Sequence, residues 1–318
     1  MSLWQRMMIG FARNQPVRHL MQRNPLAAGL AAQFVGGTDV NSAQVTVENL
    51  NNRGFKASLY YLGEYVDSPE LIEENVKQII AAVHMLGRTS LDVHMSVDPT
   101  QAGYSLGDAA GEQNILRIGR VIAEQPGQGK KLLMLDMEDY SYTQKTIDMY
   151  YRLVRENIPA ATTIQAYLYR SKKDIKQLIE NGAAVRLVKG AFAEQEERAW
   201  TSKSEISRNY IRLAQLLLSP EARARGVYPV FGTHDVNMIK AIKQMTREST
   251  RDVDTFEFEM LYGVRSALQQ QLVAEGYQVR LYLPYGTEWW PYTIRRVGES
   301  PAALRFILQA LWNRPGKT

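Results

Sequence analysis

The feature that most constrains the fold is a repeated unit, in which a short apolar run is followed by a polar turn and then by a longer segment of helical periodicity. Eight such units follow one another from residue 56 onward. Strands that alternate with helices are expected to pair in parallel, because each helix carries the chain back across the sheet. The predicted strands are 56–62, 91–97, 131–137, 162–168, 184–190, 228–233, 255–261 and 278–284.

Capping residues support several of the predicted helix starts, among them Ser68 before Pro69 and Asp235 after the sixth strand. Eight units in about 250 residues have the number and size of a closed (βα)8 barrel of the TIM type. We therefore predict an α/β fold, with an N-terminal helical arm at 1–55 and a barrel at 56–318. The predicted helices are 68–86, 107–125, 143–157, 171–182, 202–219, 235–250, 263–276, 288–299 and 301–312.

Composition excludes several classes of function. The chain has no cysteine, which excludes disulfides and thiolate chemistry and makes the cytoplasm the expected location. No apolar run is long enough to predict a membrane span, and no nucleic-acid partner is expected because the basic residues are scattered among acids. The four histidines lack metal-ligand spacing, so no metal is expected.

The N-terminal arm begins with a basic segment. Its first 23 residues contain four arginines among apolar residues and no acid. Two interpretations remain open: a helix packed against the barrel, or an amphipathic segment in peripheral contact with the inner face of the membrane.

Polar residues cluster near the carboxyl ends of the predicted strands, where barrels of this type build their active sites. Burying so many polar groups together without a ligand would be costly, so the cluster predicts a binding site. Arg186 and Lys189 favour an anionic ligand, and the rival interpretation is a lyase that uses Lys189 as a Schiff-base amine. The candidates are Asp136, Gln165, Tyr167, Arg186, Lys189, His234, Glu257, Glu259 and Tyr282.

Short motifs on these predicted strands resemble those of the monofunctional bacterial proline dehydrogenases. RLVKGAF at 186–192 resembles the family signature RLVKGAY, and the similarity extends over nearly the whole chain from about residue 30. Further matching motifs are LGEYV at 62–66, LDMED at 135–139, IQAYL at 164–168, YPVFGTHD at 228–235, FEFEMLYG at 256–263 and LYLPYGTEWWPYTIRR at 281–296. The resemblance implies a barrel with a C-terminal helix over its mouth. It also implies FAD-dependent oxidation of L-proline to 1-pyrroline-5-carboxylate, with a quinone or another carrier as electron acceptor.

The resemblance also implies which residues bind the cofactor. Gln165 would lie against the flavin ring, and Glu299 would anchor the ribose side. The residues along the ring and its ribityl chain would be Arg186, Val188, Lys189, Gly190 and Ala191, and those on the pyrophosphate and adenosine side would be Thr201, Lys203, Thr233 and His234.

For the substrate, the resemblance implies that Arg295 and Arg296 bind the carboxylate of proline through their forked guanidinium groups. Tyr282 and Leu261 would pack against the pyrrolidine ring. Asp136 would orient neighbouring groups and Tyr292 would complete the wall.

The chain departs from the family pattern in its second strand. Asp98, within SVDPTQAG at 96–103, stands where the family has a lysine within a sequence like SVKLTQLG, and Pro99 follows it. An anion there would weaken carboxylate binding, unless it pairs with a cation such as Lys189 or Arg296. A flavin-binding homologue with an altered or lost substrate therefore remains open, beside the Lys189 lyase. A smaller departure is Phe192 in place of the family tyrosine.

Overall fold

In a computed structural model of the chain, eight parallel strands close into one barrel, in which each strand pairs with its neighbours in sequence and β8 pairs with β1. The structure describes residues 31–63, 68–249 and 252–298, together with Ala27 and Gly29. The predicted closed (βα)8 barrel is confirmed. The strands are β1 Lys56–Tyr61, β2 Val93–Val97, β3 Lys131–Leu135, β4 Ala160–Gln165, β5 Ala184–Val188, β6 Tyr228–Gly232, β7 Glu257–Leu261 and β8 Val279–Tyr285.

Each predicted helix between residues 68 and 299 has a counterpart in the structure, while 301–312 and the basic segment lie outside the described residues. A short irregular helical turn, Thr100–Tyr104, follows β2. The helices are α1 Val40–Asn52, α2 Pro69–Leu86, α3 Asp108–Ala123, α4 Tyr140–Arg155, α5 Ser171–Glu180, α6 Lys203–Leu217, α7 Pro220–Ala224, α8 Val236–Glu248, α9 Ser266–Ala274 and α10 Trp289–Gly298. Within the predicted arm, α1 packs against β1 and α2.

Alternation along the strands separates an apolar outer layer from an interior that holds polar groups and a small apolar cluster, which consists of Leu132, Met134, Ala161 and Val230. In β2, Val93, Met95 and Val97 belong to the main apolar core of strands and helices. The side chains between them face the barrel axis, where the His94 Nδ1 atom lies 2.8 Å from the Ser58 hydroxyl and the Ser58 and Ser96 hydroxyls lie 3.0 Å apart. The hydrophobic stabilisation of the barrel therefore comes mainly from its outer face.

A buried ion cluster fills the amino-terminal end of the barrel. Arg280 in β8 donates to Glu257 at 2.7 Å and to Asp92 at 2.9 Å, and it also donates to the backbone oxygen of Ala57 at 2.8 Å. Because Glu257 is the first residue of β7, its inward side chain lies at the end opposite the mouth. The structure therefore places Glu257, a candidate for the active site, in a structural ion pair instead.

Removing the cation of this cluster should destabilise the protein strongly. Arg280→Leu leaves the buried Glu257 and the half-buried Asp92 without their partner, so we expect the free energy of unfolding to fall by roughly 3–5 kcal/mol. Urea unfolding followed by circular dichroism measures the change.

The control is Arg117→Leu, which breaks an ion pair with Glu73 of 2.8 Å whose side chains are 45% and 40% exposed. An exposed pair of this kind contributes less than about 1 kcal/mol. Equal losses in the two variants would contradict the view that the buried cluster stabilises the barrel.

Candidate active site

A cavity of about 390 Å³ opens at the carboxyl ends of the strands. Because all eight strands run in parallel, residues distant in sequence meet there. Thirteen residues expected in the active site line the cavity: Asp98, Asp136, Gln165, Arg186, Val188, Lys189, Gly190, Ala191, Thr233, His234, Glu259, Leu261 and Tyr282.

Other expected site residues lie outside the cavity lining. Thr201 and Lys203 are exposed at the start of α6, and Arg295 and Arg296 are half-buried in α10. Tyr292 is buried in α10, and Glu299 lies outside the described residues. The roles expected for these six residues stay predictions.

The cavity also contains residues that the sequence analysis did not select. Thr163 lines it two positions before Gln165, and Met137 and Gly232 line it beside other expected residues. Alternation along β4 was an available signal for Thr163, because residues two apart face the same side of a strand.

The floor of the cavity is an ion cluster around Arg186. One end of its guanidinium binds Asp136, and the other donates to Glu259 at 2.9 Å. The remaining donors contact the hydroxyls of Thr163 at 2.9 Å and Ser96 at 3.2 Å. Burial opposes the charged form, but Asp136 and Glu259 outweigh it and raise the pKa of Arg186. Arg186 is therefore a permanent cation held between two carboxylates.

Tyr282 stands on this ion cluster. Its hydroxyl donates to the second oxygen of Asp136 at 2.8 Å, and the guanidinium of Arg186 lies 5.7 Å from its ring centre. Burial, followed by the charge of Asp136, raises the pKa of Tyr282 well above its ordinary value. The phenol consequently stays neutral and remains a donor to Asp136.

Lys189 pairs with Asp235 rather than with Asp98. Its ammonium donates to the Asp235 carboxylate at 2.6 Å and to the Ser207 hydroxyl at 3.0 Å. The carboxylate of Asp235 also caps α8 by accepting from the backbone N–H of Asn237, and its hydrogen bond from Lys189 lowers its pKa. Asp98 accepts from the hydroxyl of Tyr60 at 2.6 Å.

Three buried polar atoms of the cavity-lining residues, Gln165 Oε1, His234 Nδ1 and Glu259 Oε2, have no hydrogen-bond partner among the described residues. Gln165 donates through Nε2 to the carbonyl oxygens of Met137 and Glu138, which leaves its Oε1 atom unpaired. His234 accepts through Nε2 from the N–H of Leu261 at 3.0 Å, so the proton of the neutral ring lies on the unpaired Nδ1. Unpaired buried groups cost free energy, so a bound molecule that pairs with these atoms is favoured.

Gly190 brings the backbone close to this cavity. Its φ of +104° disfavours any side chain, and a Cβ atom there would lie 2.0 Å from the ring of Tyr167. Tyr167, a candidate for the site, thus packs behind Gly190 and does not line the cavity. Gly190 therefore lines the cavity with its backbone alone, and Val188 and Ala191 line it on either side in sequence.

The motifs that line this cavity agree with a comparison against protein families. A family model described as proline dehydrogenase matches residues 43–309, which include every strand of the barrel. This chain belongs to the proline dehydrogenase family.

Individual proline dehydrogenases are similar over almost their whole length. Proline dehydrogenase 2 of Bacillus subtilis (strain 168) is 35% identical over 291 residues, which cover 92% of this chain and 93% of the relative. The proline dehydrogenase of Deinococcus radiodurans is 34% identical over 284 residues, which cover 89% of this chain and 90% of the relative.

Solved structures share the fold. Proline utilization A (PutA) from Bdellovibrio bacteriovorus, inactivated by N-propargylglycine, superposes with a TM-score of 0.76 and 24% identity over 85% of this chain, which spans 32% of that larger protein. PutA from Corynebacterium freiburgense gives a TM-score of 0.72 with 20% identity over 97% of this chain and 34% of that protein.

Within the described ranges, no helix has the length and hydrophobicity needed to cross a bilayer.

The buried ring of His234 in this proline dehydrogenase should make stability depend on pH. Burial, followed by the charges of Arg296 and Arg265, lowers the pKa of His234 to about 4, whereas the pKa of an unfolded histidine is about 6.5. Between these values the unfolded state binds more protons, so stability falls as the pH falls through this window. We expect a loss of about 2 kcal/mol between pH 7.5 and pH 5 that His234→Gln does not show.

Urea unfolding of both proteins at the two pH values measures this difference. His84→Gln, which replaces an exposed histidine on α2, serves as the control and should keep the wild-type dependence on pH. An identical pH dependence in wild type and His234→Gln would show that His234 does not titrate as expected.

Proposed function

We propose that this protein oxidises L-proline to 1-pyrroline-5-carboxylate with FAD as its cofactor, in the first step of the conversion of proline to glutamate. The observation that carries the proposal is the unpaired pair of Gln165 Oε1 and His234 Nδ1 in a cavity whose floor holds Arg186. FAD carries donors and acceptors on its ring and further acceptors along its ribityl chain and phosphates, so the Gln165 acceptor suits a ring N–H and the His234 donor suits an oxygen on the pyrophosphate side.

Several other residues fit the cofactor. The bare backbone at Gly190, with Val188 and Ala191 beside it, leaves room for the ring, and Arg186 and Lys189 line the same cavity as ion-paired cations. Bound FAD would supply the oxidant that accepts a hydride.

For the pyrophosphate and adenosine side of FAD, we propose Thr201 and Lys203 at the start of α6, together with Thr233 and His234. The N–H groups at a helix N-terminus favour anions, and Lys203 adds a full positive charge there. We propose Glu299 for the ribose side.

For the substrate, we propose that Arg295 and Arg296 bind the carboxylate of proline. Both lie in the last turn of α10, with guanidinium carbons 5.9 and 5.3 Å from the ring of Tyr292, which would complete the wall. Arg296 is close enough to the mouth to lower the pKa of His234.

Leu261 and Tyr282 would form the wall against the pyrrolidine ring. They are register partners on β7 and β8, which places them side by side at the cavity. Asp136 keeps the phenol of Tyr282 in place through its hydrogen bond. The carbon next to the ring nitrogen can lose a hydride only when the nitrogen lone pair is free, so proline must react as the neutral amine.

We further propose that electrons leave to a quinone or another carrier and that the basic N-terminal segment contacts the membrane surface. The alternation of arginines and apolar residues supports this surface contact.

The Lys189 lyase is a weaker candidate. A Schiff-base lysine must be a neutral amine, whereas Lys189 forms an ion pair of 2.6 Å with Asp235. The two candidates differ in colour, because a cofactor-free lyase does not absorb visible light.

The proposal is tested by the spectrum and activity of the purified protein. We expect a yellow protein that releases FAD on denaturation, is bleached by L-proline and oxidises proline with an artificial acceptor. A colourless protein that takes up no FAD, or a yellow one that proline does not reduce, would overturn the proposal.

The carboxylate clamp predicts a specific kinetic change. Arg295→Met and Arg296→Met should each raise KM for proline roughly tenfold or more, because each removes a charged hydrogen bond to substrate, while FAD content stays near that of wild type. Arg212→Met, an exposed arginine of α6, is the matched control. Unchanged KM values in both α10 variants would remove the clamp from the mechanism.

A further inference from the structure

We propose that Tyr60 and Asp98 form a positioning pair that fixes the ring of Tyr282 and thereby sets the preference of the enzyme for unsubstituted proline over ring-substituted pyrrolidines. The inference rests on the proposed oxidation of proline. It gives a role to Asp98, where the chain departs from the family lysine, and to Tyr60, which no motif singled out.

Tyr60 lies on β1, between β2, which Asp98 follows, and β8, which carries Tyr282. On β1 its register partners are Ser96 of β2 and Pro284 of β8. Its ring is 2% exposed, and its centre lies 5.2 Å from that of Tyr282 with a tilt of 31°. Rings at this separation make a favourable aromatic contact, so a change in the orientation of Tyr60 is transmitted directly to Tyr282.

The hydroxyl of Tyr60 is anchored by Asp98, to which it donates at 2.6 Å. Asp98 is itself held at the end of β2, because its carbonyl accepts from Ala102 in the helical turn that follows. Glu138 holds this helical turn in place, because its carboxylate accepts from both the backbone N–H and the hydroxyl of Thr100 at 2.7 Å. A lysine at position 98 offers only donors and could not accept the phenol proton.

Tyr282 is thus held from two sides. Asp136 accepts from its hydroxyl at 2.8 Å, and the ring of Tyr60 packs against its face. Both Asp98 and Tyr282 line the cavity. If Tyr282 packs against the pyrrolidine ring as proposed above, a hydroxyl on that ring would need the space of the Tyr282 side chain, and Tyr282 excludes it only as long as its ring cannot turn away.

Tyr60 also connects this wall to α10. Its ring belongs to a buried apolar cluster that includes Trp289, Trp290, Tyr292 and Ile294 of α10. Tyr60 therefore packs in the same apolar cluster as α10, which carries the proposed carboxylate clamp. It also packs against Tyr282, which would contact the pyrrolidine ring.

The test compares kcat/KM for L-proline with that for trans-4-hydroxy-L-proline in the FAD-loaded enzyme. Wild type should prefer proline. Tyr60→Phe keeps the ring and removes the hydrogen bond, so we expect this preference to fall roughly three- to tenfold while FAD content stays at the wild-type level. Tyr61→Phe is the matched control, because the ring of Tyr61 packs on Tyr285 instead and its substitution should leave the preference unchanged.

Double variants separate positioning from general destabilisation. Asp98→Asn combined with Tyr60→Phe should lower the preference no further than Tyr60→Phe alone, because Asp98 is expected to act on Tyr282 through the hydroxyl of Tyr60. In a Tyr282→Leu background, Tyr60→Phe should have no effect on the preference, because its target is gone. A global loss of stability would lower both activities together and leave their ratio intact.

Each outcome decides a different point. If wild type does not oxidise proline, the proposed function fails. If wild type oxidises proline and Tyr60→Phe keeps the wild-type preference, the positioning pair is wrong and the proposed function stands. The same conclusion follows if Tyr60→Phe changes the preference by the same factor in the Tyr282→Leu background as in wild type. If Tyr60→Phe cannot be purified in folded form, Asp98→Ala carries the same test through the other partner.

Discussion

The structure of the site depends on one buried cation, the guanidinium of Arg186. It pairs with Asp136 on one side and with Glu259 on the other, and without it both carboxyl groups would lose their buried cation. Asp136 in turn accepts from Tyr282, so the wall of the cavity is oriented by the same ion cluster that forms its floor. The ion pairs inside the barrel therefore also orient the side chains that shape the site.

This ion cluster continues downward as a polar column along the barrel axis. Ser96 is hydrogen-bonded to Arg186, Ser58 to Ser96, and His94 to Ser58. The second buried arginine, Arg280, lies at the amino-terminal end, where it pairs with Glu257. Burial, followed by the charges of Arg280 and Arg186, lowers the pKa of His94 well below its ordinary value, so its ring stays neutral between the two cations. A polar column of this kind supplies little hydrophobic free energy, which leaves the outer core to stabilise the barrel.

The candidate site could be predicted where a residue's position along a strand decides its environment. Inward residues at strand ends, such as Asp136 and Tyr282, reach the cavity because all strands end at the same face. Glu257 shows the limit of this argument: it has the correct alternation in β7 but lies two residues deeper than Glu259, where Arg280 binds it. Depth along the axis depends on the stagger of neighbouring strands, which a single strand's sequence does not encode.

The sequence by itself determined the eight strand–helix units, their order, and the residue types at the carboxyl ends of the strands, because local periodicity and parallel connection leave few alternatives. Only the tertiary structure decided which of those charges pair. Lys189 binds Asp235, which lies 46 residues away, and Asp98 accepts from Tyr60 rather than from Lys189. Such choices depend on distances across the closed barrel and on burial that makes an unpaired charge costly, and neither quantity exists until the strands have closed.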